Sequence, residues 1–268
     1  MCRRVLIASI LLLPATLSSQ ASTERPPVDA VVMQFQRFAD IFGSRLVAAL
    51  DSIPADRYDY RPTPVQQSIG YIAQHLEDAN NSLCSRFGEL KYQRTAKDSL
   101  ADTVKARWPK DTLVARLKRS LDFCDSAIGR VPRLDSPALA ASLLAFETDL
   151  AEHYSQLGSY MRLLGLVPPS ALPPRARTAI ELPVSTLSPY AGLYAVAPGL
   201  EFDVTLRDGA LFVRPTTGPA VRLWPESATG FFVKEVDAQI TFTRDASGNV
   251  SGFVLHQFGR DRAARKIK

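Results

Sequence analysis

Residues 136–165 read SPALAASLLAFETDLAEHYSQLGSYMRLLG, and this stretch decides the fold of the N-terminal half. Leu139, Leu143, Phe146, Leu150, Leu157 and Leu164 return at helical steps and stack on one face. Ser136-Pro137 offers a capping hydroxyl followed by a first-turn proline. Gly165 and then Pro168-Pro169 end the helix. Two polar residues interrupt the stripe. His153 falls between Leu150 and Leu157, and Asp149 lies one turn earlier on nearly the same face.

Working outward, three more amphipathic stripes precede this one. Val31, Phe35, Phe38, Phe42, Leu46 and Ala49 form the first, which Pro54 closes. Thr63-Pro64-Val65-Gln66 reads as a capping box, which predicts a second helix from that point with Ile69, Ile72, Leu76, Leu83 and Phe87 inward. Residues 88–110 lose the period and read as a polar connection that includes Trp108-Pro109. Asp111 then caps a third helix carrying Leu113, Leu117, Leu121, Cys124 and Ile128. Four such stripes have to bury one another, so residues 28–169 are expected to form an all-α up-down four-helix bundle.

Beyond a proline-rich linker over 170–186 the period changes from helical to two. Phe202, Val204 and Leu206 alternate with Asp203 and Thr205, and Ile240 and Phe242 alternate with Thr241 and Thr243. Asp208-Gly209 suits a tight hairpin, and Ser247-Gly248-Asn249 is a second turn signal. About seven short strands with no helix between them predict an all-β small antiparallel barrel over 187–268. Such a barrel can also enclose an apolar ligand.

The chain has 268 residues, 46% of them apolar and 22% charged, ordinary globular composition for two modest domains. Its first 21 residues have the three parts of a signal peptide: Arg3-Arg4, the apolar run Val5–Leu13, and small residues at Ser19 and Ala21. Export is therefore expected, with no stable membrane span once that segment is removed. Lys+Arg then number 30 against 27 Asp+Glu, a balance of +3 too weak and scattered for nucleic acid. Cys84 and Cys124 are left as an even pair in an oxidising compartment. Both stand on apolar stripes, so two buried thiols and a helix-to-helix disulfide are both open.

The chemistry-bearing constellation is His75, Asp149 and His153. His75 sits one residue before Leu76 on the inside edge of the second helix. Burying two imidazoles and a carboxylate without partners is costly, so either they hydrogen-bond one another or a divalent metal holds them. Two nitrogens and one oxygen leave open coordination positions, as a catalytic site requires. Asp149 is then either a ligand or the base that orients a water. Glu77, Asp78, Glu147 and Glu152 are nearby acids expected on the solvated face, and His256 reads as a structural or surface residue. The chain contains no phosphate loop, GxSxG elbow or SxxK motif.

The segment His153-Tyr-Ser-Gln156-Leu157-Gly-Ser-Tyr160-Met161-Arg162-Leu-Leu-Gly165-Leu-Val-Pro168 resembles the last-helix signature of DinB-like proteins. Tyr60-Arg61-Pro62-Thr63-Pro64, Ser68-Ile69 and Ala73-Gln74-His75-Leu76 resemble that family's approach to its first metal histidine. The resemblance covers about residues 28–169. It implies a four-helix bundle binding a divalent metal through three histidines, in a superfamily of thiol-dependent transferases and hydrolase-like members. His75 and His153 match two ligand positions, and the third holds Asp149.

Tyr190-Ala-Gly192-Leu-Tyr194, Leu223-Trp-Pro225, Phe231-Phe232, Ile240-Thr-Phe242 and Leu255-His256-Gln257 resemble a lipocalin-like C-terminal domain. That domain is usually appended to beta-lactamase-like or peptidase modules, and in one peptidase lineage it serves assembly. The expectation is an exported metal-dependent hydrolase or transferase using Zn, Ni, Fe or Mn on an unknown small molecule. The alternative is a non-catalytic binding or assembly protein that forms a homo-oligomer through its C-terminal domain.

Overall fold

The computed structural model describes residues 29–268 apart from Pro174, Pro198 and Thr217, so the signal-peptide reading of residues 1–21 lies outside the described residues. The N-terminal half is helical and the C-terminal half is a closed barrel. The helices are α1 (Ala30–Ser52), α2 (Ile69–Cys84), α3 (Asp102–Lys105), α4 (Lys110–Ile128), α5 (Pro137–Leu163) and α6 (Val184–Leu187). The four long ones bury one core, in which Leu46, Leu50, Ile69, Ile72, Leu76, Leu117, Leu143, Phe146, Leu150 and Leu157 are wholly enclosed. Around the bundle α1 packs on α4 and α5, and α2 packs on the same two, so α1 and α2 stand diagonally opposed.

The fourth stripe starts where the sequence places it: Ser136 Oγ accepts the Leu139 amide at 3.3 Å, and Pro137 occupies the first turn. The second helix starts later than the Thr63 capping box predicts. Thr63 Oγ1 turns to Gln66 Oε1 at 3.1 Å, and Ser68 Oγ is the cap that accepts the Tyr71 amide at 3.2 Å. The Tyr60 and Tyr58 carbonyls accept the Ile69 and Gly70 amides at 3.2 and 2.8 Å, which ties the preceding loop to the helix. Likewise Asp111, the expected cap of the third helix, lies inside the first turn of α4, two residues after the Pro109 cap. The 88–110 connection carries α3, whose Lys105 is buried and paired with Asp78 and Asp102. Cys84 and Cys124 form a disulfide between α2 and α4, with Cα atoms 5.1 Å apart.

The barrel has eight strands: β1 (Gly192–Ala197), β2 (Leu200–Arg207), β3 (Ala210–Pro215), β4 (Val221–Pro225), β5 (Gly230–Val233), β6 (Ala238–Arg244), β7 (Val250–Gln257) and β8 (Arg260–Lys266). Each pairs antiparallel with the next, and β8 closes onto β1. The count exceeds the expected seven. β8, RDRAARK, buries only Ala264 and has no apolar alternation to betray it. Asp208 and Gly209, with φ of 50° and 74°, make the predicted hairpin between β2 and β3, since both central residues of such a turn need positive φ. The interior is filled by stacked aromatic rings: Tyr190 lies on Phe242 at 4.2 Å, and Tyr194, Phe231 and Phe253 are almost completely enclosed. The C-terminal part of the proline-rich stretch is docked: Arg177 reaches Glu226 at 2.6 Å, and the Ile180 amide donates to the Pro225 carbonyl at 2.8 Å.

The β7–β8 hairpin holds the barrel against the helices. Its tip contains Phe258 at φ 53°, and Arg260 and Arg262 follow. Arg262 reaches Asp40 of α1 at 2.6 Å and Asp125 of α4 at 3.0 Å. Arg260 reaches Asp40 at 2.7 Å and Asp122 at 3.0 Å, and it donates to the Leu121 carbonyl. Asp40 is buried, so removing its partners leaves a carboxylate without compensation. An Arg260→Ala/Arg262→Ala chain is expected to lose about 2 kcal/mol of docking energy, between an exposed and a buried pair. Small-angle scattering should show a larger radius of gyration; an unchanged value would show that the clasp does not hold the domains.

Candidate metal centre

α2 and α5 bring His75, Asp149 and His153 together. On α2 the enclosed Ile72, Ala73 and Leu76 fix the helix against the core and leave His75 at the boundary, with 36% of its side chain exposed. On α5, Leu150 and Leu157 are fully buried and hold His153 and Asp149 in the seam facing α2. His75 Nε2 lies 3.2 Å from Asp149 Oδ1. His153 Nδ1 donates to the Asp149 backbone carbonyl at 2.9 Å, which leaves Nε2 of that ring with its lone pair. The two imidazoles stack with centroids 4.8 Å apart and planes inclined at 27°.

One candidate ligand atom from each residue lies within 4.8 Å of the others. Ligand atoms about 2.1 Å from a tetrahedral ion stand roughly 3.4 Å apart, so the three atoms would have to draw in to share one. Asp149 Oδ2 is buried and has no hydrogen-bond partner among the described residues, an orphaned acceptor. The hydrogen bond that His75 donates to Asp149 raises the His75 pKa against the opposing effect of burial, and the charges of Asp149, Asp102 and Asp78 add to the rise.

The neighbouring acids differ from the expected solvated face. Glu152 is exposed, but Glu77 is buried against Arg116, and Asp78 pairs with Lys105. Both Glu147 carboxyl oxygens are buried without partners, and burial together with the Asp40 charge pushes its pKa up to about 8. Glu77 sits at a helix position one step from the apolar face, where periodicity alone cannot tell core from surface. The signal that could have found it is the buried arginine on α4 that needs it. His256 is confirmed on the barrel surface, where Nδ1 meets Asp261 at 2.6 Å and Nε2 meets Thr241 Oγ1 at 3.0 Å.

Residues 176–266 match the family model of a domain of unknown function, DUF3471. That match covers the barrel together with the docked stretch before β1. No curated protein matches the chain. Among solved structures, "Crystal structure of SurE with D-Leu" is 24% identical over 45% of this chain and 28% of that chain, with a TM-score of 0.30. "Crystal structure of SurE" is 23% identical over 45% of this chain and 27% of that chain, with a TM-score of 0.31. The chain thus spans just over a quarter of the length of these structures. Among the described residues, no helix is long and apolar enough to cross a membrane.

Proposed function

We propose that this chain is an exported two-domain protein whose helical domain binds a divalent transition metal through His75, Asp149 and His153 and uses it for hydrolysis or group transfer on a small molecule. The observation that carries the reading is that two helices bring three donors within 4.8 Å of one another while Asp149 Oδ2 keeps no hydrogen-bond partner among the described residues. The DinB-like pattern around His75 and His153 supports it. A Cys84–Cys124 disulfide favours an oxidising compartment, in keeping with the N-terminal leader. Bound there, the metal supplies a Lewis acid that polarises a substrate oxygen or activates a water. His153 Nδ1 is engaged by its own helix carbonyl, which fixes the ring and leaves Nε2 as the nitrogen that would take a ligand. Asp149 offers a carboxylate that either ligates or accepts a proton. His75 is the most exposed of the three and marks the side from which a substrate enters.

A second reading is favoured by one feature: Asp149 already lies within hydrogen-bonding distance of His75, so the triad can be satisfied without an ion. On that reading the helical domain is a scaffold and the barrel serves assembly into a homo-oligomer. Metal analysis separates the two. Purified wild type should hold about one equivalent of Zn, Ni, Fe or Mn. His153→Ala should lose more than about 100-fold in affinity, beyond the 10–100-fold typical of losing an outer-shell partner. Saturation at 100 times Kd should stabilise the wild type by about 2.7 kcal/mol. Protons compete for His75. Because its pKa is raised, affinity should begin to fall on acidification at a higher pH than for an ordinary imidazole. Wild type with neither metal content nor a thermal shift leaves the scaffold reading.

A further inference from the structure

A half-open cavity of about 290 Å³ lies at the start of α2, lined by Asp59, Arg61, residues 64–68 and Tyr71, and by Thr103, Ala106 and Arg107 after the start of α3. The geometry points to it as the subsite for an anionic end group of the substrate, a carboxylate or a phosphate, gripped by Arg61 and Arg107. This rests on the metal-site reading and adds the class of molecule that site acts on.

The cradle is built rather than incidental. A Cβ at Gly70 would stand 2.2 Å from the Ala106 carbonyl oxygen, so only glycine lets α2 and the end of α3 touch backbone to backbone. Tyr58 and Tyr60 anchor the opposite wall through their carbonyls, and the Tyr60 ring packs edge-on against Tyr160 of α5 at 6.0 Å. Nearby Arg57 is paired with Asp56, whereas Arg61 and Arg107 have no ion-pair partner among the described residues. Asp59 is the single carboxylate on the lining, so the wall carries a net positive charge. A guanidinium matches both carboxylate and phosphate oxygens in bidentate fashion.

Both walls lead from this cavity to the histidines. On α2, Tyr71 is one turn before His75 on the same face, about 6 Å along the axis. On α5, Gln156 is three residues after His153 and donates to the Tyr160 hydroxyl at 2.9 Å. That hydroxyl donates to the carbonyl of Gln67, a lining residue, at 3.1 Å. Asp149 lies beside His75, Asp78 and Asp102 pair with Lys105, and the two arginines line the cavity without a paired acid among the described residues. An anionic end group is therefore drawn to Arg61 and Arg107, which leaves the rest of the molecule to extend along α2 toward His75. Pro64 and the almost fully exposed Val65 give the cavity an apolar rim, which suits a short hydrocarbon or aromatic middle.

Calorimetric titration of the whole chain with phenyl phosphate and, separately, with phenylacetate tests this. Binding of either is expected, and the tighter one names the end group. Arg61→Gln/Arg107→Gln should weaken it at least tenfold, while Arg119→Gln/Arg133→Gln, which removes the same charge from exposed sites, should leave it unchanged. Metal content of each variant is measured alongside. Anion binding lost only in the first variant sustains the subsite, whether or not the chain takes up metal. Metal uptake with no anion bound, or equal binding by both double variants, overturns the subsite while leaving the metal reading untouched.

Discussion

Arg116→Ala should destabilise the helical domain by about 4 kcal/mol, because it removes the cation from a buried charge cluster. Arg116 lies on α4 and contacts both oxygens of Glu77 on α2 at 2.6 Å, pairs with Asp98, and stacks over the Trp108 ring at 4.7 Å. Glu77 and Asp98 are each less than 5% exposed, so neither finds water when the guanidinium is gone. Burial already raises the Glu77 pKa even with Arg116 in place. Burial would raise Asp98 too, but the Thr95 amide, the Thr95 hydroxyl and Arg116 together hold it at about 2. The sign follows from these directions. The Asp98 contribution is present above its ordinary pKa of 3.8 and is lost as pH falls through about 2. Without Arg116 the two carboxyls take up protons at higher pH, so the gap between wild type and variant should narrow on acidification. Urea unfolding at about pH 7 and about pH 4.5 reads both predictions. Adding Glu77→Gln should recover part of the loss, because it removes one of the two orphaned charges. A variant as stable as wild type near neutrality would show that the cluster contributes nothing net.

Reduction of the Cys84–Cys124 disulfide is the second large effect. The bond closes a loop of 40 residues, and in the chain-entropy account such a loop contributes about 4 kcal/mol by restricting the unfolded chain. For a helical region of this size the midpoint should fall by roughly 10–15 °C. Both cysteines are wholly enclosed between α2 and α4, so the native bond should resist reductant until the helices open. Circular dichroism melts of wild type with and without reductant, and of Cys84→Ser/Cys124→Ser, measure it. Identical melts would mean that the thiols are not joined in solution.

These two predictions concern residues that the sequence displays but does not connect. Cys84 and Cys124 stand on apolar stripes, and each position alone reads equally well as a buried thiol. The disulfide depends on α2 and α4 being neighbours, which is a matter of packing order. Glu77 reads as a solvated residue because it lies beside an apolar stripe, and nothing along the sequence joins it to Arg116. They become buried because the connection over 88–110 folds across them, with Asp98 in its short turn and Trp108 over the guanidinium. No local pattern marks a polar loop that will act as a lid. Arg260 and Arg262 are hidden for a related reason. An arginine on a strand reads as exposed until another domain brings Asp40, Asp122 and Asp125 to meet it.

The metal-centre candidates were more legible. His153 and Asp149 are four apart on a helix, and helical geometry alone puts them on one face. Their juxtaposition with His75, 3.2 Å from Asp149 and with its ring centroid 4.8 Å from that of His153, required α2 and α5 to share a seam. The cavity at the start of α2 was not legible at all. Its walls join the loop before α2, the first turn of α2 and the α3 segment, which meet closely at Gly70 and Ala106.

Local periodicity and turn chemistry settled the architecture. Spacing of apolar residues marked four amphipathic helices, the change to a period of two marked the barrel, and Asp208-Gly209 marked a hairpin, because each is a property of neighbours along the chain. Tertiary structure decided which polar groups meet: the disulfide, the Glu77–Arg116–Asp98 cluster, the clasp between domains and the arrangement around Asp149. Those depend on distances between residues 18 to 222 positions apart, which burial and packing set and which no window of sequence contains.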